Sequence, residues 1–546
     1  MGYRIVRPMM GLASVPVRRD LVLLGGGHAH VRVLKMLRMR RPPDVRVTLV
    51  SDGQTAVYSG MLPACVAGLY APEEIRIDLA RLARACGARL VVARAEGVDP
   101  AAREVLLEDR PPLGYDLLSI NVGSAVRGRD LPGVAAHAVA TRPLAPFLER
   151  IEAAAASCAA SRAAASRTVA GPFRVAVVGG GAAGVELAFA MRVRFARAEG
   201  GAAVTLFEGG PDLLPGSSPA VRAVARRELA ARGIAVRTGA AAAGAEPGAL
   251  LLAGGEQFPC DLVVWAAGGA PPPLLARTLL ARDRDGFLAV SAALETSDPR
   301  VFAAGDCVSI AGGPALPKAG VYAVREGPVL ARNLLARLEG RPLRPYRPQR
   351  GFLSLLMTGD RRAILDWKGL AFRGGWVWRW KDRIDRRWMR GFLPERIDPA
   401  LDRPPSPAEA ERIRCAGCGA KAAPDILAEE VRRLGGTPPS HPEVRAGLEA
   451  AEDAALVEAA PGVLEARTID YLPAFCDDPY LFGRIVAVHA ASDLHAMGAA
   501  PRTALVLAVR PYAEKGPFAR DLRMLMAGIA REAAREGIAV VGGHTS

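Results

Sequence analysis

Two glycine-rich turns, each set between an apolar run and a helical pattern, constrain this chain more than any other feature. Leu21-Val22-Leu23-Leu24 leads into Gly25-Gly26-Gly27-His28-Ala29-His30, and about 150 residues later Arg174-Val-Ala-Val-Val178 leads into Gly179-Gly180-Gly181-Ala182-Ala183-Gly184. A short apolar run bounded by glycine reads as a buried parallel strand. Glycine at its exit lets the backbone approach a pyrophosphate seated on the N-terminus of the next helix. Two such units predict an α/β chain with two nested dinucleotide-binding, Rossmann-like domains.

In the first unit the candidate cofactor contacts are Gly25, Gly27 and His30, the last standing where the fingerprint has glycine or alanine. The next strand, Val45 to Val50, runs into Ser51-Asp52, and Asp52 is the candidate for the ribose hydroxyls. In the second unit they are Gly179, Gly181 and Gly184, with Glu208 at the end of the strand Ala203–Phe207. A carboxylate there accepts from a ribose 2′-hydroxyl and repels a 2′-phosphate, so NADH is expected over NADPH. A third strand pattern, Val301-Phe-Ala-Ala-Gly305-Asp306, ends in a carboxylate suited to the ribityl chain of a flavin. The helix expected from Pro317-Lys318-Ala319-Gly320 would point its positive end at the flavin's pyrimidine edge, favouring negative charge there. Lys318 reads either as part of that edge or as a solvated surface residue.

At 546 residues the chain is too long for one core, and two to four domains are expected. A formal charge of +15, mostly from Arg, comes without an RNA-binding signature, which points to phosphate-bearing cofactors or an anionic membrane surface rather than nucleic acid. Eight cysteines, of which Cys415 and Cys418 alone are closely paired, do not make a disulfide scaffold and suit a reducing cytoplasm. No uninterrupted apolar run reaches the roughly 18 residues of a transmembrane span, and Met1 to Arg19 lacks a signal-peptide core.

The order of these motifs resembles the two-dinucleotide-binding flavoproteins of the pyridine nucleotide-disulfide oxidoreductase superfamily, and residues 20–395 look like the type II NADH dehydrogenases. The resemblance implies FAD on the first turn and Asp306, NADH on the second turn, and hydride passing from nicotinamide to flavin N5. It places Asn121-Val-Gly-Ser124 and Trp265-Ala-Ala-Gly268 where the chain returns to the FAD domain. No Cys-x4-Cys pair follows the first unit, which argues against a disulfide reductase, and too few flavin-side cysteines are present for a sulfide:quinone reductase. Cys65 is a lone thiol, either near the flavin or a packed small residue.

Between residues 367 and 393 stand five of the six tryptophans, interleaved with Arg and Lys. Aromatics and cations on one short helix suit the boundary of an anionic membrane near a quinone, or else dock on the flavin domain. A Pro- and charge-rich stretch, 394–414, reads as a linker.

Beyond it lies Cys415-Ala-Gly-Cys418-Gly-Ala-Lys421, then Glu452-Asp453-Ala-Ala, Thr468-Ile-Asp470, Phe482-Gly-Arg-Ile485, Ser492-Asp493-Leu-His-Ala-Met-Gly498 and Gly542-Gly543-His544-Thr545. An ammonium three residues from a thiol lowers its pKa, and carboxylates at strand and helix ends with a glycine loop suit Mg²⁺ bridging ATP phosphates. In this order the motifs are similar to selenide, water dikinase. The resemblance implies Cys418 and Lys421 as catalytic residues, Asp453 and Asp493 as Mg²⁺ ligands, and Asp470, Asp493, Gly543, His544 and Thr545 as ATP contacts. It covers about the first half of that enzyme, and the chain reads as a fragment of a longer fusion.

The expected organisation is an FAD-binding domain over 20–151, an NADH-binding domain over 171–290, the FAD-domain return and Trp/Arg segment over 291–393, the linker, and a partial ATP-binding domain over 415–546. The expected partners are NADH, selenide and ATP, with a quinone, a membrane face and a second copy of the chain in a homodimer.

Overall fold

The computed structural model describes residues 15–545 apart from 41, 165–170, 197–200, 350, 394–428, 430–440, 448–453 and 512. The expected linker, Cys418, Lys421 and Asp453 lie outside the described residues.

The first sheet is built from runs too apolar to face water. β1 (Arg19–Leu24) pairs in parallel with β2 (Val45–Ser51), which pairs with β3 (Arg89–Val92), while β4 (Leu117–Ile120) lies on the other side of β1. Leu21, Leu23, Leu49, Val50, Leu118 and Ile120 are fully buried, as strands covered by helices on both faces require. α1 (His28–Met39) leaves the first glycine turn and buries Val31, Leu34 and Leu37.

The second sheet repeats the plan with β5 (Ala138–Ala140), β6 (Phe173–Val178), β7 (Ala202–Phe207), β8 (Ile234–Arg237) and β9 (Leu262–Trp265), in the order β5-β9-β6-β7-β8. β5 falls within the span expected for the first domain, yet it pairs with β9, because Ala138 and Val139 are apolar enough to close that sheet's edge. α2 (Leu144–Ala164) is a helix with Phe147, Leu148, Ile151 and Cys158 on its buried face. α3 (Ala182–Arg194) follows the second glycine turn. β10 (Val301–Ala303) then returns to the first sheet beside β4, which makes it five-stranded. α4 (Gly320–Leu338) packs against α1.

A three-stranded antiparallel sheet, β11 (Ser354–Met357), β12 (Ala363–Trp367) and β13 (Leu370–Gly374), leads into α5 (Gly375–Met389). The C-terminal part holds an antiparallel sheet of β14 (Val444–Ala446), β15 (Ala455–Ala460) and β16 (Val463–Arg467), and a parallel pair, β17 (Thr503–Ala508) and β18 (Ala539–Thr545). Helices α6 (Pro479–Ala496) and α7 (Lys515–Glu536) pack closely, since a Cβ on Gly483 would stand 2.2 Å from the Leu525 carbonyl oxygen. No helix among the described residues is long and apolar enough to cross a membrane.

Candidate functional site

The strand exits of β1, β4 and β10 converge on one side chain. Asn121, just past β4, accepts at Oδ1 from the Ala29 amide (3.1 Å) and the His30 amide (3.3 Å), and donates from Nδ2 to the Ala304 carbonyl (2.7 Å). Two glycines make room for it. A Cβ on Gly25 would lie 2.4 Å from the Asn121 carbonyl oxygen, and one on Gly305 would lie 2.4 Å from Asn121 Nδ2, with φ of +97° and +81° respectively.

His30 stands apart from its expected role. Its ring is fully buried, with Nδ1 2.7 Å from the Gly25 carbonyl and Nε2 2.8 Å from Ser119 Oγ. Both nitrogens are thus spent bracing the turn, and burial pulls its pKa down to about 4 despite the hydrogen bond to Gly25. At the matching position of the second turn only glycine fits, because a Cβ on Gly184 would stand 1.7 Å from the Gly179 carbonyl oxygen. In the first turn the equivalent carbonyl, that of Gly25, instead meets the His30 ring at Nδ1.

The crevice beyond Asn121 fits a dinucleotide. Gly27, the N-cap of α1, brings no side chain to that end, and Asn121 already holds the Ala29 and His30 amides, so the glycine turn and the positive end of the helix are what face a phosphate. Ser124 Oγ is buried without a hydrogen-bond partner, and space is open beside Gly123 where a Cβ would go. Asp306 pairs with Arg142 at 3.0 Å, and the half-buried His28 sits between charges: desolvation pulls its pKa down, Asp306 opposes that and Arg142 adds to it. Glu326, one turn into α4, accepts from the Gly305 amide at 2.5 Å, and burial raises its pKa to about 7. Lys318 precedes α4 rather than opening it. Its ammonium donates to the Val308 carbonyl (2.5 Å) and lies 3.7 Å over the Phe287 ring, and burial pulls its pKa down. Asp52, just past β2, is exposed.

At the second turn Glu208 accepts from the Gly180 amide (2.6 Å) and the Gly210 amide (2.7 Å), which orders its carboxylate at the end of β7. Gly181 begins α3 with no side-chain cap and with open space beside it, and Gly179 turns the chain at φ +109°. The residues present fit FAD at the first turn and a nicotinamide dinucleotide at the second.

Sequence reasoning missed a buried ionic cluster between the two turns. Lys381 on α5 bonds Asp385 (3.0 Å) and the Gly60 carbonyl (2.8 Å), Tyr58 donates to Asp385 (3.2 Å), and Glu186 on α3 accepts from the Met357 amide (2.9 Å). Burial raises Glu186 and Asp385, with Lys381 opposing; burial would lower Lys381, but the two carboxylates hold it above its ordinary value. Nothing in the Trp/Arg pattern distinguished Lys381 from its solvated neighbours. Arg142 and Glu326 likewise carried no motif. Burial raises the Cys65 thiol to about 11 and the Cys307 thiol to about 12, which disfavours the nucleophilic thiolate at both.

α5 docks one face and bares the other. Trp378 stacks on Tyr70 (5.8 Å) and Trp388 tilts against Tyr58 (6.0 Å), while Trp376, Trp380 and Ile384 are exposed beside Trp367, Leu370 and Phe372 of the preceding hairpin. The docking expected of this segment on the flavin domain is thus met by Trp378 and Trp388, while Trp376 and Trp380 stand exposed.

In the C-terminal part Asp470 has a buried Oδ2 without a hydrogen-bond partner, 4.0 Å from His489 on α6, and Asp493 is buried one turn further along that helix. Gly543, His544 and Thr545 lie on β18 opposite Val506, Leu507 and Ala508. Among the described residues no group of three or more His, Cys, Asp or Glu side chains stands where it could hold a metal.

The profile of the pyridine nucleotide-disulphide oxidoreductase family matches residues 19–327, and that of the AIR synthase related protein, N-terminal domain, matches residues 451–546. Selenide, water dikinase of Myxococcus xanthus is 38% identical over 135 residues, which is 25% of this chain and 37% of that protein. The chain thus spans little more than a third of that relative's length. Demethylphylloquinone reductase NdbB of Synechocystis is 27% identical over 372 residues, covering 65% of this chain and 89% of that protein. Among solved structures, the sulfide:quinone oxidoreductase of Aquifex aeolicus superposes with a TM-score of 0.58 at 18% identity, covering 70% of this chain and 94% of that one. NDH2 of Plasmodium falciparum in complex with NADH superposes at 0.59 and 15%, covering 69% and 99%. At such identities the likeness shows the fold, which implies FAD and NAD(P)H.

The chain is therefore a fusion of an oxidoreductase with a dikinase-like stretch. The oxidoreductase profile spans more than half of its residues and ends inside α4, the helix whose Glu326 reaches the flavin crevice, so the chain belongs to the pyridine nucleotide-disulphide oxidoreductase family.

Proposed function

We propose that the chain is an FAD-dependent NADH oxidoreductase joined to a selenide, water dikinase segment, and that the two serve selenium metabolism together. The observation that carries this reading is their succession on one polypeptide: a dinucleotide fold over 19–327 and, after it, a stretch 38% identical to selenide, water dikinase. The dikinase reaction takes ATP, selenide and water to selenophosphate, AMP and phosphate, and selenide is the most reduced form of the element. A reductase upstream would supply it.

FAD, when bound, supplies two-electron chemistry between a nicotinamide and an acceptor. The chain's own groups position it: the glycine turn and the positive end of α1 take the pyrophosphate, and Asp306 accepts from the ribityl hydroxyls. Glu208 accepts from the adenosine ribose of NADH and, by its charge, disfavours a 2′-phosphate. In the C-terminal segment Cys418 and Lys421 are assigned the catalytic roles, Asp453 and Asp493 hold Mg²⁺, and Asp470, Gly543, His544 and Thr545 bind ATP. The test is NADH-dependent reduction of selenite by the purified protein, alongside AMP release from ATP and selenide. No selenite reduction above a quinone control, or AMP release unchanged in Cys418→Ser, sinks the reading.

A second reading is favoured by the bare aromatic face of α5: a membrane-surface NADH:quinone oxidoreductase whose C-terminal segment binds ATP without catalysis. Trp376 and Trp380 are 47% and 42% exposed, so each offers on the order of 100 Å² to a bilayer boundary, about 2 kcal/mol apiece. Trp376→Ser with Trp380→Ser should weaken binding to anionic vesicles at least tenfold. Equal binding by both proteins discards the membrane contact.

A further inference from the structure

The C-terminal helices meet the flavoprotein through charge, at the edge of the first sheet that the cofactors do not use. Arg46, at the start of β2, bonds Asp20 at the start of β1 (2.5 and 2.9 Å) and also Asp521 of α7 (2.8 Å), and it donates to the Pro517 carbonyl (3.1 Å). Arg89, at the start of β3, makes a two-pronged bond to the same Asp521 (2.8 and 3.1 Å), and Arg510 adds a third cation to it. In return Arg520 of α7 reaches Asp20 (2.7 Å) and Asp116. The side chains of Asp20, Arg46 and Asp521 are 5%, 10% and 12% exposed, so solvent screens them little. Burial pushes Asp521 up, yet Arg89 and Arg46 hold it below the usual carboxylate range.

A second cluster bears on a particular element. Arg110, in the turn between the strands Glu104–Leu107 and Leu113–Gly114, makes a two-pronged bond to Asp478 (2.7 and 2.8 Å) and lies 4.7 Å over the Tyr480 ring. Asp478 is also the N-cap of α6, accepting from the amides of Tyr480 (3.0 Å) and Leu481 (3.4 Å). The flavoprotein therefore orients the cap of the helix that carries His489 and Asp493. α6 and α7 move as a pair, because Gly483 and Gly528 bring their backbones into contact.

Parallel strands have direction, and the first glycine turn and Asp306 follow the C-terminal ends of β1 and β10. Asp20, Arg46, Arg89 and Asp116 stand at or before the N-terminal ends of β1 to β4. β1 has six residues, so at about 3.3 Å per residue roughly 20 Å of sheet separates the ionic contacts from the crevice.

We propose that the N-terminal edge of the first sheet is a docking face for the chain's own α6–α7 pair, fixing the C-terminal segment on the side of the FAD domain opposite the flavin. The segment is then a seated domain and not a tethered one. On the proposed selenium reading, which this consequence rests on, selenide leaves the flavin crevice into solvent before reaching ATP, with no shared channel.

Hydrogen exchange on the full chain with FAD bound tests the docking without reference to either activity. Residues 109–117 on one face and 513–523 on the other should exchange slowly. In Arg110→Met/Asp521→Asn both should exchange at least tenfold faster, while 173–178 in the second sheet and the visible flavin absorbance stay unchanged. Arg110→Met alone, in a turn remote from the sheet core, should speed 109–117 and the first turn of α6. Rates in the wild-type chain already as fast as in the double variant, or unchanged by Arg110→Met in a flavin-loaded protein, overturn the proposal.

Discussion

Asn121 Nδ2 donates to the Ala304 carbonyl at 2.7 Å, joining the exit of β4 to the exit of β10 across 183 residues of intervening chain. The same amide holds the Ala29 and His30 amides with its oxygen. Asn121→Ala leaves two buried amides without partners and the Ala304 carbonyl with only the Cys307 thiol, at about 1–3 kcal/mol for each amide left unsatisfied. The variant should unfold at lower urea and lose FAD on dilution. Retention of flavin at the wild-type midpoint would show that the crevice is organised by something else.

Lys381 stands between two carboxylates, 3.0 Å from the buried Asp385 and electrostatically coupled to the half-buried Glu186. Lys381→Met removes the one cation they share, and breaking a buried pair from one side costs about 3–5 kcal/mol. Adding Asp385→Leu should recover part of that loss, since the uncompensated charge leaves with it. Urea unfolding of the single and double variants measures both; a double variant less stable than Lys381→Met contradicts the pairing.

Glu326 predicts a pH dependence of definite sign. Burial raises its pKa from 4.5 to about 7, so between those values the folded protein holds a proton that the unfolded chain has released. Its contribution is fully present below about 4.5 and falls as pH rises to about 7, by roughly 1.4 kcal/mol per unit. His30 works the other way, since its pKa lowered to about 4 withdraws stability as pH falls below 6.5. The two oppose each other in wild type, so the quantity to measure is a difference. The Glu326→Gln variant should gain on wild type as pH goes from 5 to 7 and keep a constant margin above 7.5. A margin that does not change with pH contradicts a proton on Glu326.

Glu208 is held by two backbone amides, at 2.6 and 2.7 Å. On the proposed role of Glu208, Glu208→Ala removes both the ribose acceptor and the charge that disfavours a 2′-phosphate. The ratio of kcat/KM for NADPH over NADH should rise at least tenfold, mostly through KM. An unchanged ratio would place cofactor choice elsewhere.

Much of this was readable along the chain. The strands at 19–24, 45–51 and 173–178, the two glycine turns and the Gly-Asp end of β10 are local patterns: apolar runs need burial on both faces, and glycine alone permits the turn that follows. The dikinase-like order of motifs was legible for the same reason, because each is a short loop or strand end with its own composition. What sequence could not determine was which distant groups share a charge or a hydrogen bond. His30 looked like a cofactor contact until Ser119 and Gly25 took both of its nitrogens, and β5 looked like part of the first domain until β9 offered a partner. Lys381, Arg110 and Asp521 are ordinary charged residues in ordinary company along the chain. Only the tertiary structure gives them a role, because the strength of an ion pair depends on its partner's distance and on the water excluded around it, and neither is written in residue order.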